Sequence, residues 1–318
     1  MKKFVRTYKL ELIMTLILIA MYIVFQLMTG TALKLVNIKN VLQGAASLMF
    51  LVMGQLLVVI TGGIDLSVGS IFSLTGIIGC VVMNKTQNIA AGVIVALLFG
   101  LIVGIINGLL VSYLNMAPFI VTLATQGIAA SICKIIVDGA SQTLTVKAFK
   151  LFNGGTIIPH VPNYILFMIV LVVVMHFVLR KTLFGRSVYA VGSNEEAARL
   201  VGISAKRIKV LCYTLAGILS AVGALLSVSR LMTFECSSGT GMELDAISAT
   251  CIGGASLSGG LGTAFGATVG TLIQKGISNG INLLGINTFW SGTVTGVVMI
   301  IAVLVGGKVA SSKSGKKA

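Results

Sequence analysis

The sequence predicts an all-α polytopic membrane protein of about ten transmembrane helices, and three observations predict it. Of its 318 residues, 56% are hydrophobic and only 10% are charged, whereas soluble domains carry roughly 25% charged residues. Apolar runs recur from end to end, and at about 20 residues each is long enough to cross a hydrocarbon core about 30 Å thick. The 38 glycines suit closely packed membrane helices, where small residues let backbones approach. No stretch is long and polar enough for a separate soluble unit, so residues 1–318 read as a single transmembrane domain.

The first span covers residues 10–28, too long for the apolar region of a cleavable signal and without an A-x-A-like site after it. A short connection with Lys34 and Lys39 leads to the second span, 41–60. GGIDLS (62–67) interrupts before the third span, which runs to Met83, and the polar NKTQN turn (84–88) precedes the fourth, 89–114. Asn115 and Pro118 break the chain before the fifth span, which ends at Val137. Residues 138–163 are polar and carry Gly154-Gly155, Pro159 and Pro162, all turn formers.

The sixth span, 164–179, enters a basic central loop at 180–209. The seventh, 210–229, is followed by a second polar segment, 230–243. Only fourteen apolar residues, 244–257, remain for the eighth span before SGGLG (258–262), so a half-helix is expected as readily as a full crossing. The ninth and tenth spans fall at 264–284 and 288–305.

The formal net charge of +15 is concentrated. Lys2, Lys3, Arg6 and Lys9 precede the first span. Arg180, Lys181, Arg186, Arg199, Lys206, Arg207 and Lys209 sit in the central loop, and Lys308, Lys313, Lys316 and Lys317 in the tail. This distribution is the positive-inside pattern of cytoplasmic segments rather than a nucleic-acid footprint. It puts both termini and the central loop in the cytoplasm and segments 138–163 and 230–243 outside. A weak internal repeat accompanies it: Phe99-Gly100-x-x-Val103-Gly104 recurs as Phe265-Gly266-x-x-Val269-Gly270 on spans of opposite direction. Transporters are often built from such inverted duplicates.

The central loop carries the sharpest local signal. Ser193-x-x-Glu196 has capping-box spacing, with Asn194 as an alternative cap. Glu195 and Glu196 suit the positive end of a helix dipole, and Gly202 suits a left-handed C-terminal cap. These residues predict a two-turn helix over 195–201, with small Ala197 and Ala198 on its body able to enter a groove. Without a partner, the same helix is a surface connection between spans.

The segment GSNEEAARLVGI (192–203) resembles the cytoplasmic coupling motif of bacterial ABC importer permeases of the branch that serves ribose and similar sugars. GGIDLSVGSIFSLTG (62–76) and GTGMELDAISATCIGGASLSGGLGT (239–263) are similar to two further signatures of that family, in the same order. The resemblance runs from about Asn37 to Val305. It implies a homo- or heterodimer of permease chains in a bacterial inner membrane, surrounded by lipid. Each coupling helix, Ser193, Asn194, Glu195, Glu196, Ala197, Ala198 and Gly202, would dock on a cytoplasmic ATPase. An extracytoplasmic sugar-binding protein would deliver the solute. The chain has no G-x-x-x-x-G-K-[ST] run, since Gly306-Gly307-Lys308 is followed by valine, so nucleotide chemistry falls to another polypeptide.

Gln55, Asp65, Asn107, Asn115 and Asp245 are the candidate pathway residues, because charged and amide groups in a membrane must face protein or water. Asp65 before Leu66-Ser67, and Asp245 at the start of the eighth span, serve equally well as helix N-caps. Thr61, Thr122, Thr125 and Gln126 also match sugar hydroxyls, although membrane helices use such residues to bond one another. Five cysteines show no CxxC or metal spacing, and His160 and His176 lack a relay partner. No enzyme site, cofactor or metal is expected. The competing readings are an ion-coupled secondary transporter and a permease for branched-chain amino acids.

Overall fold

The computed structural model describes residues 9–300. In chain order they form α1 (Lys9–Thr29), α2 (Leu35–Ile60), α3 (Val68–Thr86), α4 (Ile89–Ser112), α5 (Pro118–Val137), β1 (Gln142–Thr143), α6 (Lys150–Gly154), α7 (Asn163–Lys181), α8 (Leu183–Ser193), α9 (Glu195–Leu200), α10 (Ala205–Leu231), β2 (Thr233–Phe234), α11 (Met242–Ile252), α12 (Ala264–Leu283) and α13 (Trp290–Ile300). Seven of these, α1 to α5, α7 and α10, are long and apolar enough to cross a membrane. The protein is an all-α polytopic membrane protein. The expected basic tail, the last residues of the tenth span and the cations at 2, 3 and 6 lie outside the described residues.

Helices α2 and α10 start several residues before the predicted spans. Polar residues such as Lys39, Lys206 and Arg207 mark where the apolar stretch stops, not where backbone hydrogen bonding stops. Starts with chemical caps are placed well. Asn88 accepts from the Ala91 amide (3.2 Å) at α4, Thr263 accepts from the Gly266 amide (3.0 Å) at α12, and Pro118 opens α5, where its missing N–H costs nothing.

The core is the antiparallel pair α2 and α10, with Gly54 set against Ala216 and Gly223 against Ser47 and Leu51. Helix α10 lies along α3 and α4, and α2 lies along α11 and α12. These are matching arrangements of oppositely directed helices, so the inverted duplication is present as α2–α5 against α10–α13. On α4, Gly100, Gly104 and Gly108 meet the α10 backbone at Gly217, Tyr213-Thr214 and Val210. Any larger residue there would push the two backbones apart. Gly266 and Gly270 instead meet Gly253, the C-cap of α11, and Ala249 within it. The glycines that suggested the repeat therefore make non-equivalent contacts, and it is the packing of whole helices that displays the duplication.

Two helices begin inside the helical body. After α2 ends at Ile60, the chain folds back until the Gln55 side-chain amide, oriented with its nitrogen toward the Asp65 carbonyl, pairs with both backbone groups of Asp65 (3.0 and 3.2 Å). Five helical residues separate these levels, so α3 starts about 7 Å in from the end of α2. Helix α11 has the same character. Phe234 packs against Phe72 with ring centroids 5.4 Å apart, and the chain then descends along α3 until the Gly239 amide donates to Ser73 Oγ (2.8 Å). Eleven residues are too few to cross, so α11 is a half-helix. The two polar segments 138–163 and 230–243 pair at the same end through β1 and β2, with Gln142 opposite Phe234. Asn84 braces the first of them by accepting from the Thr145 amide (2.8 Å) and donating to the Thr143 carbonyl (2.9 Å).

Candidate functional site

The basic end of the molecule is built around α8 and α9. Helix α8 replaces the first part of the expected loop at 180–209, and Thr182 caps it by accepting from the Gly185 amide (3.1 Å). Its last residue is Ser193, which is therefore helical rather than a cap. Asn194, with extended backbone, caps α9 and accepts from the Ala197 amide (2.9 Å). Glu195 and Glu196 occupy the first turn, where the helix dipole favours negative charge. At the other end Gly202 takes φ +82°. Its N–H reaches the Arg199 carbonyl (3.0 Å) and the Ile203 N–H reaches the Ala198 carbonyl (3.0 Å), the Schellman pattern that only a residue free to be left-handed closes without strain.

The two alanines divide. Ala198 is buried against Val191 and Ala205, while Ala197 faces outward. Beside it Leu200 and Val201 are 86% and 74% exposed. Each such side chain gains about 1.5–3 kcal/mol when buried, so the outer surface of α9 is a small apolar knob that a partner would cover.

The knob is tied to both central helices. The Gly260 amide donates to the Ile60 carbonyl (2.8 Å), and a Cβ on Gly192 would overlap that same oxygen. Tyr189 Oη donates to the Gly262 carbonyl (2.7 Å). The ends of α8 and α2 and the 258–262 loop thus touch, bringing the three motif segments of the sequence to one place. On the other side Glu195 pairs with Lys209 of α10 (2.5 Å). Lys209 and Tyr213 also line a cavity of about 40 Å³ with Thr61, Gly62, Gly63, Val111 and Pro118.

Of the predicted pathway residues, Gln55, Asp65 and Asn107 are wholly enclosed. Asp65 is not a simple cap: its Oδ1 accepts from both the amide (2.8 Å) and hydroxyl (2.6 Å) of Ser67. Asn107 Nδ2 donates to Ser67 Oγ (2.8 Å), and Thr125 Oγ1 donates to Asn107 Oδ1 (2.7 Å). This chain pins the start of α3 to α4 and α5. Asn115 lies apart, exposed at the α4–α5 turn with φ +53°, a backbone that asparagine tolerates.

Asp245 is not a cap either. It lies within the first turn of α11, where Oδ1 accepts from Gln274 Nε2 (2.8 Å) and Oδ2 stands 3.8 Å from Lys275 Nζ. Gln274 Nε2 also donates to Thr295 Oγ1 of α13 (2.8 Å). Gln126, next to Thr125, donates to Glu243 (3.2 Å) and joins α5 to α11. Sequence reading missed Glu243, Gln274, Lys275 and Thr295 as a group. One signal was available: Gln274 lies one residue from the position that the Phe99/Phe265 register pairs with Asn107.

A helical body with two intramembrane half-starts and a tethered knob on one face defines a polytopic transport permease. Residues 37–303 match the family model described as the permease component of branched-chain amino acid transport systems. The chain is 44% identical over 304 residues to a probable ABC transporter permease, y4mJ, of Sinorhizobium fredii, covering 95% of this chain and 90% of that one. It is 38% identical to the ribose import permease RbsC of Bacillus subtilis (91% and 90% covered). It is 32% identical to the galactose/methyl galactoside import permease MglC of Salmonella typhimurium (92% and 91%). No solved structure matches. The chain belongs to this family of ABC transporter permeases, as its three motif segments indicated.

Proposed function

We propose that this chain is a transmembrane permease subunit through which an ATP-binding-cassette importer passes a sugar across a bacterial cytoplasmic membrane. The basic end, with both termini, faces the cytoplasm by the positive-inside rule. There Asn194, Glu195, Glu196, Ala197, Leu200, Val201 and Gly202 form the docking element for a separate ATPase, while Ser193 and Ala198 seat that element on its own chain. The paired segments 138–163 and 230–243 receive the sugar-binding protein. A second permease chain, identical or homologous, completes the complex. Nucleotide hydrolysis is the work of the ATPase, and this chain transmits force and encloses the path.

The carrying observation is the joint at Gly192, Ile60 and Gly260, opposite the Glu195–Lys209 pair. A push on α9 reaches α2 and α10 together, and those are the helices on which both halves are built. The sugar class is supported by the ribose and galactose permeases among the relatives, over the amino acid of the family description. Proteoliposomes holding the permease, its ATPase and its binding protein test the reading. Uptake of labelled ribose or galactose should require enclosed ATP and the binding protein. Uptake driven by a proton or sodium gradient without ATP, or ATP-driven uptake of leucine alone, contradicts it.

A further inference from the structure

The two polar chains are counterparts in the duplicated frame. In the first half an aspartate at the inner start of α3 is joined through Ser67 and then Asn107 of α4 to Thr125 of α5. In the second an aspartate in the first turn of α11 is joined through Gln274 of α12 to Thr295 of α13. Asparagine and glutamine play the same part, each bonded to the threonine of the following helix. The counterparts differ in access. Asp65 and Asn107 are fully enclosed, whereas the Asp245 and Lys275 side chains are each 24% exposed.

We propose that the second chain, Asp245, Gln274 and Lys275, is a contact site for the hydroxyl groups of the solute on its way through the membrane, and that the first is its sealed structural counterpart. Charged groups half-open at membrane depth face water or protein rather than lipid, because lipid exposure costs roughly 2.5–3.5 kcal/mol per group on insertion scales. The 3.8 Å separation of Lys275 from Asp245 exceeds hydrogen-bond length, so the pair is open to a bridging hydroxyl. Gln274 is wholly buried, yet its Oε1 has no partner while its Nε2 holds Asp245. The open part of the site therefore presents a carboxylate acceptor and one ammonium donor, with the buried Gln274 holding the carboxylate in place, and a hydroxyl both donates and accepts. With its charges paired, it matches a neutral polyhydroxyl solute. A single unpaired charge on the solute would have to break the pair.

This inference rests on the sugar reading and is tested beside it in the complete complex. In a Cys236→Ser background, Lys275→Cys is treated with a membrane-impermeant charged methanethiosulfonate, which reacts with thiolates formed in water. Labelling well above that of native Cys251, which is buried in α11, is the expected result. Labelling no faster than Cys251 overturns the site. Gln274→Leu and Lys275→Met should each lower ribose or galactose uptake per complex by about tenfold, the effect of losing one hydrogen bond to a charged or buried group. Lys275→Met should keep its detergent stability, so its loss of uptake is not a loss of fold, and the Gln274→Leu uptake is compared per folded complex. Wild-type uptake rates in both variants also overturn it. Lys275→Arg, which keeps the donor, separates outcomes: it should restore most uptake, and equal loss in Arg and Met variants counts against hydroxyl contact. If the wild-type complex carries leucine but neither sugar, the sugar reading fails while Lys275→Cys labelling still reports the path.

Discussion

The two intramembrane polar chains share one plan and differ in enclosure, and the difference separates structure from function in this molecule. Asp65, Ser67, Asn107 and Thr125 are sealed among α3, α4 and α5. Their donors and acceptors serve one another, apart from Asp65 Oδ2. Asp245 and Lys275, tied to the corresponding helices through the buried Gln274 and Thr295, stay partly open. A duplicated frame thus leaves one copy of a contact to hold the fold and frees the other to meet a passing solute. Gln126 and Glu243 join α5 to α11, so the two halves are not independent.

The comparison is most severely strained by Asn107→Leu. It removes the two bonds by which Asn107 ties Ser67 of α3 to Thr125 of α5 in a sealed site, and should destabilise the permease by about 1–3 kcal/mol. Thermal unfolding in detergent should show a clear drop, with uptake per surviving complex little changed. A normal melting point would mean that the first chain is not structural. Thr125→Val keeps the shape and deletes one donor, so a loss of about 1 kcal/mol is expected by the same assay. The matching Thr295→Val, at an equally buried position, should cost a similar amount of stability but also lower uptake, because it loosens Gln274 behind Asp245. Gln126→Leu breaks only the bridge at Glu243 and should have the smallest effect on stability, about 0.6 kcal/mol, typical of interhelical polar contacts in membranes. A double substitution of Thr125 and Thr295 should be additive if the halves act separately. A coupling term in that cycle would show that the bridge transmits between them.

Much of this was legible in the sequence, for identifiable reasons. The spans announced themselves through apolar length, and α9 through Asn194, the acidic first turn and Gly202, because caps and charges act within a few residues. Helix α8 was hidden by its polar outer face, which reads as loop in a chain where helices are expected to be apolar. The inner starts of α3 and α11 were equally hidden, since Gln55 meets Asp65, and Ser73 meets Gly239, only after the chain doubles back. Gln274 finds Asp245 from the next helix along, and no local pattern encodes that distance. The glycine motif misled about its own contacts while pointing to a real duplication, because glycine marks close approach without naming the neighbour.

The central claim is that force enters through the exposed knob of α9, and capture of the ATPase measures it directly. In pull-downs from membranes holding all subunits, Leu200→Asp combined with Val201→Asp should abolish recovery of the ATPase with the permease. The permease itself should remain folded, since neither side chain is packed against its own chain. Full recovery of the ATPase with the doubly charged α9 would contradict the account.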